Sequence, residues 1–178
     1  MIRPIRYISV LCLLLLSSVY CRAEIEAIAH NFQELSGGNI TFNTPSNTVG
    51  TTTDGIVYTC SSGAAFSAST NSGNQIAIFL EASGAQVVTT QIANLDSVRI
   101  YYAPTATKSM TVSVSRDGSA WNDLVITQPT YGIKAAKIPS PNDYYVRIKR
   151  SSDNVYIKEI RFYYIDLSGC PSCFLYKP

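Results

Sequence analysis

The sequence predicts an all-β chain folded as a two-sheet antiparallel β-sandwich, and three observations predict it. Apolar residues recur at every second position in residues 98–102, Met110–Ser115, 144–149 and 160–164, the period that puts one side-chain set on one face of a strand. These stretches are rich in Val, Ile and Tyr, which suit half-buried pleated surface. Turn-forming clusters separate them, such as Arg116-Asp117-Gly118-Ser119 and Ser151-Ser152-Asp153-Asn154, where Asp, Asn and Ser bond their own backbone and Gly supplies positive φ. A sheet with one apolar face buries it against a second layer. About ten short strands without long uniform staves favour a sandwich over a closed barrel.

Residues 1–23 stand outside that pattern. Arg3 and Arg6 precede an apolar run at 7–20, and Cys21-Arg22-Ala23 offers small residues at the −3 and −1 positions of a cleavage site, the outline of a secretory signal peptide. The run is shorter than the about 20 residues of a membrane helix, so removal of the leader leaves no membrane-spanning segment. The expected destination is secreted, periplasmic or cell-surface. Lipid attachment at Cys21 is the alternative, with bulky Tyr20 a poor lead-in.

In residues 24–38, Ile25, Ile28, Phe32 and Leu35 have helical spacing before Ser36-Gly37-Gly38, so a short N-terminal helix or a loose joining segment is expected. The sandwich domain spans 39–165. Its strands are expected at 39–44, 55–60, Ala64–Ala68, 75–81, 85–90 and, after a lead-in through Ile92 and Leu95, 98–102, then at Met110–Ser115, 121–127, 131–138, 144–150 and 155–164. Pro139 and Pro141 are read as ending the strand at 131–138. In the last strand Val155 and Ile157 have the opposite parity to Ile160, Phe162 and Tyr164, which predicts a bulge or bend at Lys158-Glu159. Residues 166–178 form a tail carrying Cys170-Pro171-Ser172-Cys173.

Charge excludes one class of partner. Arg3, Arg6 and Arg22 lie in the leader, whereas all 12 acids follow residue 23, so the remaining chain is close to neutral. No basic run exceeds Lys149-Arg150, and a phosphate backbone calls for a patch. Nucleic acid is not an expected partner. Cys60, Cys170 and Cys173 remain after the leader, an odd number in an exported chain. One disulfide and one free thiol is the simplest accounting, with any of three pairings. A bridge from Cys60 would tie the tail to the sandwich. The C-x-x-C pair follows a strand and a Ser-Gly turn rather than opening a helix, which argues against redox catalysis.

No catalytic constellation is legible. His30 is the lone histidine and is read as a solvated side chain. The carboxylates Asp54, Glu81, Asp96, Asp117, Asp123, Asp143, Asp153, Glu159 and Asp166 sit mostly at turns and strand ends, and none pair across a cleft as glycoside cleavage requires. The metal ligands of a zinc site are missing. Aromatic residues are the stronger signal. Arg99 and Tyr101, like Tyr145 and Arg147, fall on the parity opposite to the apolar set. If the two strands share a sheet, these four make an outward Tyr/Arg surface, with Trp121 and Tyr131 as its rim. Sugar rings stack on such aromatics while polar groups fix their hydroxyls. The competing reading is an ordinary outer face, with Arg stems packed along it.

Two segments carry a family resemblance. Ser115-Arg116-Asp117-Gly118-Ser119-Ala120-Trp121 has the form S-x-D-G-x-x-W, and Tyr156-Ile157-Lys158-Glu159-Ile160-Arg161-Phe162 closes the domain as (Y/V)-I-x-x-I-x-(F/Y). With 92–102 they resemble the galactose-binding-like jelly-roll modules of secreted Bacteroidetes proteins, which accompany pectate-lyase-like and other polysaccharide-degrading enzymes. The similarity covers roughly residues 55–164. It implies a non-catalytic carbohydrate-binding module for a polysaccharide or surface glycan, or else a structural module contacting another protein or itself. It transfers no binding residues. It also implies a structural calcium, for which polar loops such as 47–54 offer oxygen ligands. No other cofactor is required.

Overall fold

Thirteen strands and no helix make up the residues described by the computed structural model, namely 24–32, 40–42, 48–68, 76–103 and 110–166. They are β1 (Glu24–Asn31), β2 (Ile40–Phe42), β3 (Val49–Thr52), β4 (Val57–Ser61), β5 (Ala64–Ala68), β6 (Ile76–Leu80) and β7 (Gln86–Thr89). Then follow β8 (Ile92–Tyr102), β9 (Met110–Ser115), β10 (Asn122–Asp123), β11 (Ile126–Thr130), β12 (Ile133–Arg150) and β13 (Val155–Asp166). Ala27–Tyr164 is one compact unit, outside which fall 24–26, Ile165 and Asp166. The expected leader at 1–23 and the cysteines of the tail lie outside the described residues.

The first sheet runs β11–β12–β8–β13–β6–β5, with β1 also on β13. The second runs β2–β3–β4–β7–β12–β9–β10. All these pairings from β2 onward are antiparallel. Strand β12 belongs to both sheets. Ile133 to Lys137 pair with Tyr101 to Ser97 of β8, whereas Tyr145 to Arg150 pair with Ser115 to Met110 of β9.

The expectation that Pro139 and Pro141 end a strand is therefore corrected. They lie exposed inside β12, where its register with β8 slips between Lys137 and Asn142. A proline offers no ladder N–H, so the two residues open the pairing there. The strand then bends into the other sheet, as sandwich corners commonly do.

Alternation places the core. Val98, Ile100 and Tyr102 of β8 and Ile160 and Phe162 of β13 face Val112 and Val114 of β9, Val146 and Ile148 of β12, and Tyr58 and Val87 in one buried cluster. Each fully buried Ile or Phe contributes about 1.5–3 kcal/mol over its exposed state. The expected irregularity in the last strand is present, as the β13–β8 register slips between Ile157 and Glu159.

The N-terminal helix is the second correction, since 24–31 is strand β1. Ile28, His30 and Phe32 point inward while Ala27 and Ala29 are exposed, a period of two rather than 3.6. Phe32 is fully buried, edge-on to Tyr58 at 5.3 Å and to Phe66 at 5.9 Å between ring centres. That aromatic pocket and the pairing with β13 decide strand over helix.

Candidate functional site

The path of β12 separates the residues that the sequence would gather on one face. Arg99 and Tyr101 stand on β8, in the first sheet, with Val98, Ile100 and Tyr102 buried beneath them. Tyr145 and Arg147 stand on the part of β12 that has already crossed to the second sheet. The two pairs thus occupy opposite outer faces, and the single Tyr/Arg surface is corrected to two. Tyr131 belongs with the first, Trp121 with the second.

On the first face, Arg99 and Tyr101 interleave with Arg161 and Tyr163 of β13, where Arg161 is opposite Arg99 and Glu159 opposite Tyr101. The Arg161 guanidinium lies 4.9 Å over the centre of the Tyr101 ring, and that of Arg99 5.2 Å over Tyr163. Such cation–π contacts tie the guanidinium groups to the rings of the neighbouring strand. Arg161 also pairs with Glu159, a hydrogen bond that pushes the guanidinium pKa further up.

At the end of this ladder a groove of about 410 Å³ opens, lined by Tyr101, Tyr131, Asn31, Lys158 and Glu159 among others. Three local features build it. The β11–β12 hairpin turns through Tyr131-Gly132, with Thr130 paired to Ile133. Gly132 takes φ +82°, which an L side chain resists, and its carbonyl accepts the Tyr102 N–H at 2.9 Å. This turn leaves Tyr131 61% exposed. Opposite, the β13 bulge re-aims Lys158 and Glu159, and the Lys158 carbonyl accepts the Phe32 N–H at 2.9 Å. Asn31, outward on β1, completes the wall.

On the second face, Arg147 stacks 4.5 Å over the centre of the Trp121 ring and donates from Nη2 to Ser113 Oγ at 3.3 Å. Ser113 Oγ in turn donates to Asp123 Oδ1 at 2.7 Å. Trp121 owes its place to the S-x-D-G-x-x-W turn. Asp117 Oδ1 accepts from Ser115 Oγ and from the N–H groups of Ser119 and Ala120 at 2.8, 2.8 and 2.9 Å. The two backbone bonds above all hold this carboxyl well below the usual carboxylate range. Gly118, at φ +76°, passes beneath Tyr145, where a Cβ would meet the ring at 3.9 Å. Beside Arg147 lies a cleft of about 470 Å³, bordered by Lys149, Arg150, Asp123, Thr111 and Ser151 among others.

His30 is not solvated as expected but buried. Its Nδ1 is 2.5 Å from the Tyr58 hydroxyl and its Nε2 2.9 Å from Asp54 Oδ2. Burial pushes the Tyr58 pKa well up. Burial would also raise the Asp54 carboxyl, but hydrogen bonds from Thr52 and His30 outweigh it and hold that pKa down. This Asp–His–Tyr chain has its hydroxyl in the core and its carboxylate outward. A nucleophilic triad needs the reverse, so the chain pins β1 to β4 instead. It also engages Asp54, the carboxylate of the loop considered for calcium. Among the described residues, no three His, Cys, Asp or Glu side chains gather as metal ligands. Cys60 is a free, buried thiol, its candidate partners Cys170 and Cys173 lying outside the described residues, and burial pushes its pKa up to about 12. The β4 alternation that buries Tyr58 turns Cys60 into the same core.

Arg161, Tyr163, Lys158 and Asn31 on the first face, and Lys149, Arg150 and Thr111 on the second, were not singled out from the sequence. The parity of β13 does predict Arg161 and Tyr163, which alternate with Ile160 and Phe162. Asn31 was hidden by the helical reading of its segment.

No family model matches the chain, and no curated protein does. Among solved structures, the chain is similar to one titled “CpGH89CBM32-6 produced by Clostridium perfringens”, with 16% sequence identity and a TM-score of 0.44 over 60% of this chain and 93% of that one.

Proposed function

We propose that the chain is an exported, non-catalytic glycan-binding module whose sugar site is the groove at Tyr101 and Tyr131. The observation that carries this reading is the exposed Tyr131 ring set beside Asn31, Lys158 and Glu159 in one groove. The apolar C–H face of a pyranose stacks on a tyrosine ring, while an amide, an ammonium and a carboxylate together supply the donors and acceptors that sugar hydroxyls need. Among the described residues, Glu159 is the one carboxylate bordering the groove. Glycoside cleavage calls for two, so binding without bond breaking fits this site better.

The test is titration of the full chain against neutral plant, host and bacterial polysaccharides, with calcium and with EDTA. Saturable binding is expected, weakened roughly tenfold by Tyr131→Ala and also reduced by Tyr101→Ala, with the melting temperature unchanged by the first. Binding that survives both substitutions would discard the groove. No binding by folded protein would favour a module that contacts another protein or itself. The EDTA arm tests the structural calcium that the family resemblance implies.

A further inference from the structure

We propose that the cleft on the outer face of the second sheet is a separate site for the carboxylate or sulfate groups of an acidic polysaccharide. Arg147, Lys149 and Arg150 border it, and among the described residues Asp123 is the single carboxylate that does so. Asp123 is already engaged by the Ser113 hydroxyl. Among the described residues, no carboxylate forms an ion pair with any of the three cations, whereas Lys137, Arg161 and His30 each have one.

The cleft is also built rather than merely charged. Trp121 and the Ser113 hydroxyl hold the Arg147 guanidinium in place, so its charge is positioned in advance for a carboxylate or sulfate. The Nε atoms of Arg147 and Arg150 are buried without an acceptor, a desolvated positive charge that an anion beside it offsets. Thr111 Oγ1 and Ser151 Oγ, 3.0 Å apart, place two hydroxyls on the same wall to bond the remaining oxygens. The chain as a whole is near neutral once the leader is set aside, so attraction is local to this face. That suits a polymer with spaced anionic groups over a nucleic-acid backbone, which rewards a broad basic surface.

This site does not rest on the Tyr131 groove, and one experiment separates them. The full chain is titrated at low and high salt with a polyuronate, a sulfated galactan, a neutral galactan and duplex DNA. The acidic polysaccharides are expected to bind more tightly than neutral galactan, and less so at high salt. Binding to the polyuronate alone assigns carboxylate, binding to the sulfated polymer alone assigns sulfate, and either supports the site. Lys149→Glu, at an exposed position, is expected to weaken acidic binding about tenfold or more and to leave neutral binding unchanged. Arg147→Gln gives the same loss if it folds. Lys134→Gln, on the first sheet, leaves both unaffected. Acidic polymers bound no better than neutral galactan, native-like binding by Lys149→Glu, or tighter binding of DNA than of either acidic polymer would each overturn the proposal.

Discussion

The two outer faces of this sandwich use the same residue types to opposite effect. On the first sheet Arg161 is paired with Glu159 and Lys137 with Asp96, and Arg161 and Arg99 cover tyrosine rings. Arg161 and Lys137 are thus neutralised in place. On the second sheet Arg147 covers Trp121, but no acid pairs with it or with its two basic neighbours among the described residues. Counting Arg and Tyr cannot distinguish the faces. Their counter-ions do, one from the same strand (Glu159 for Arg161) and one from the neighbouring strand (Asp96 for Lys137).

The largest effects expected concern the core the faces share. Ile100 lies under the first face and Ile148 under the second, both fully buried in one cluster. Alanine at either should cost about 2–5 kcal/mol. Since β12 runs through both sheets, urea unfolding should shift as one cooperative transition in each variant. Two separable transitions would break the picture of a common core.

A smaller change would make the first face resemble the second. Glu159→Gln removes the acid that pairs with Arg161. The pair is partly exposed, with Arg161 41% accessible, so stability should change by only about 0–1 kcal/mol. Affinity of the chain for an acidic polymer should rise, because a guanidinium has lost its partner. A fall would show that Glu159 does not neutralise this face.

The smallest effect belongs to the turn that sets Trp121. Asp117→Ala should lower the melting temperature modestly. The folded-state pKa of Asp117 lies below its ordinary 3.8, so its contribution is present above that value and is lost as pH falls through the folded pKa. The difference between native chain and variant should be full at neutral pH and shrink below 3.8. A difference that persists at the acid end would assign the effect to something other than the ionised carboxylate.

Much of the fold was legible because alternation is local. Val98, Ile100 and Tyr102, or Val146 and Ile148, announce their own inward face, and the parity change between Ile157 and Ile160 announces the bulge. The site was less legible, for two physical reasons. Strand partners are set by long-range pairing, so nothing near Tyr145 reveals that β12 has changed sheets. Pro139 and Pro141 look the same in sequence whether they end a strand or bend it. In β1, the inward position of His30 breaks the apolar pattern, so Ile28, His30 and Phe32 do not read as one buried row until Tyr58 and Asp54 are seen to satisfy the ring.

The central claim, that two independent sites lie on opposite faces, is tested most directly by titrating the native chain, Tyr131→Ala and Lys149→Glu against one neutral and one acidic polysaccharide. Tyr131→Ala should lose neutral binding and Lys149→Glu acidic binding, each about tenfold, with Lys149→Glu leaving neutral binding intact. Loss of both ligands in both variants, or of neither in either, would contradict it.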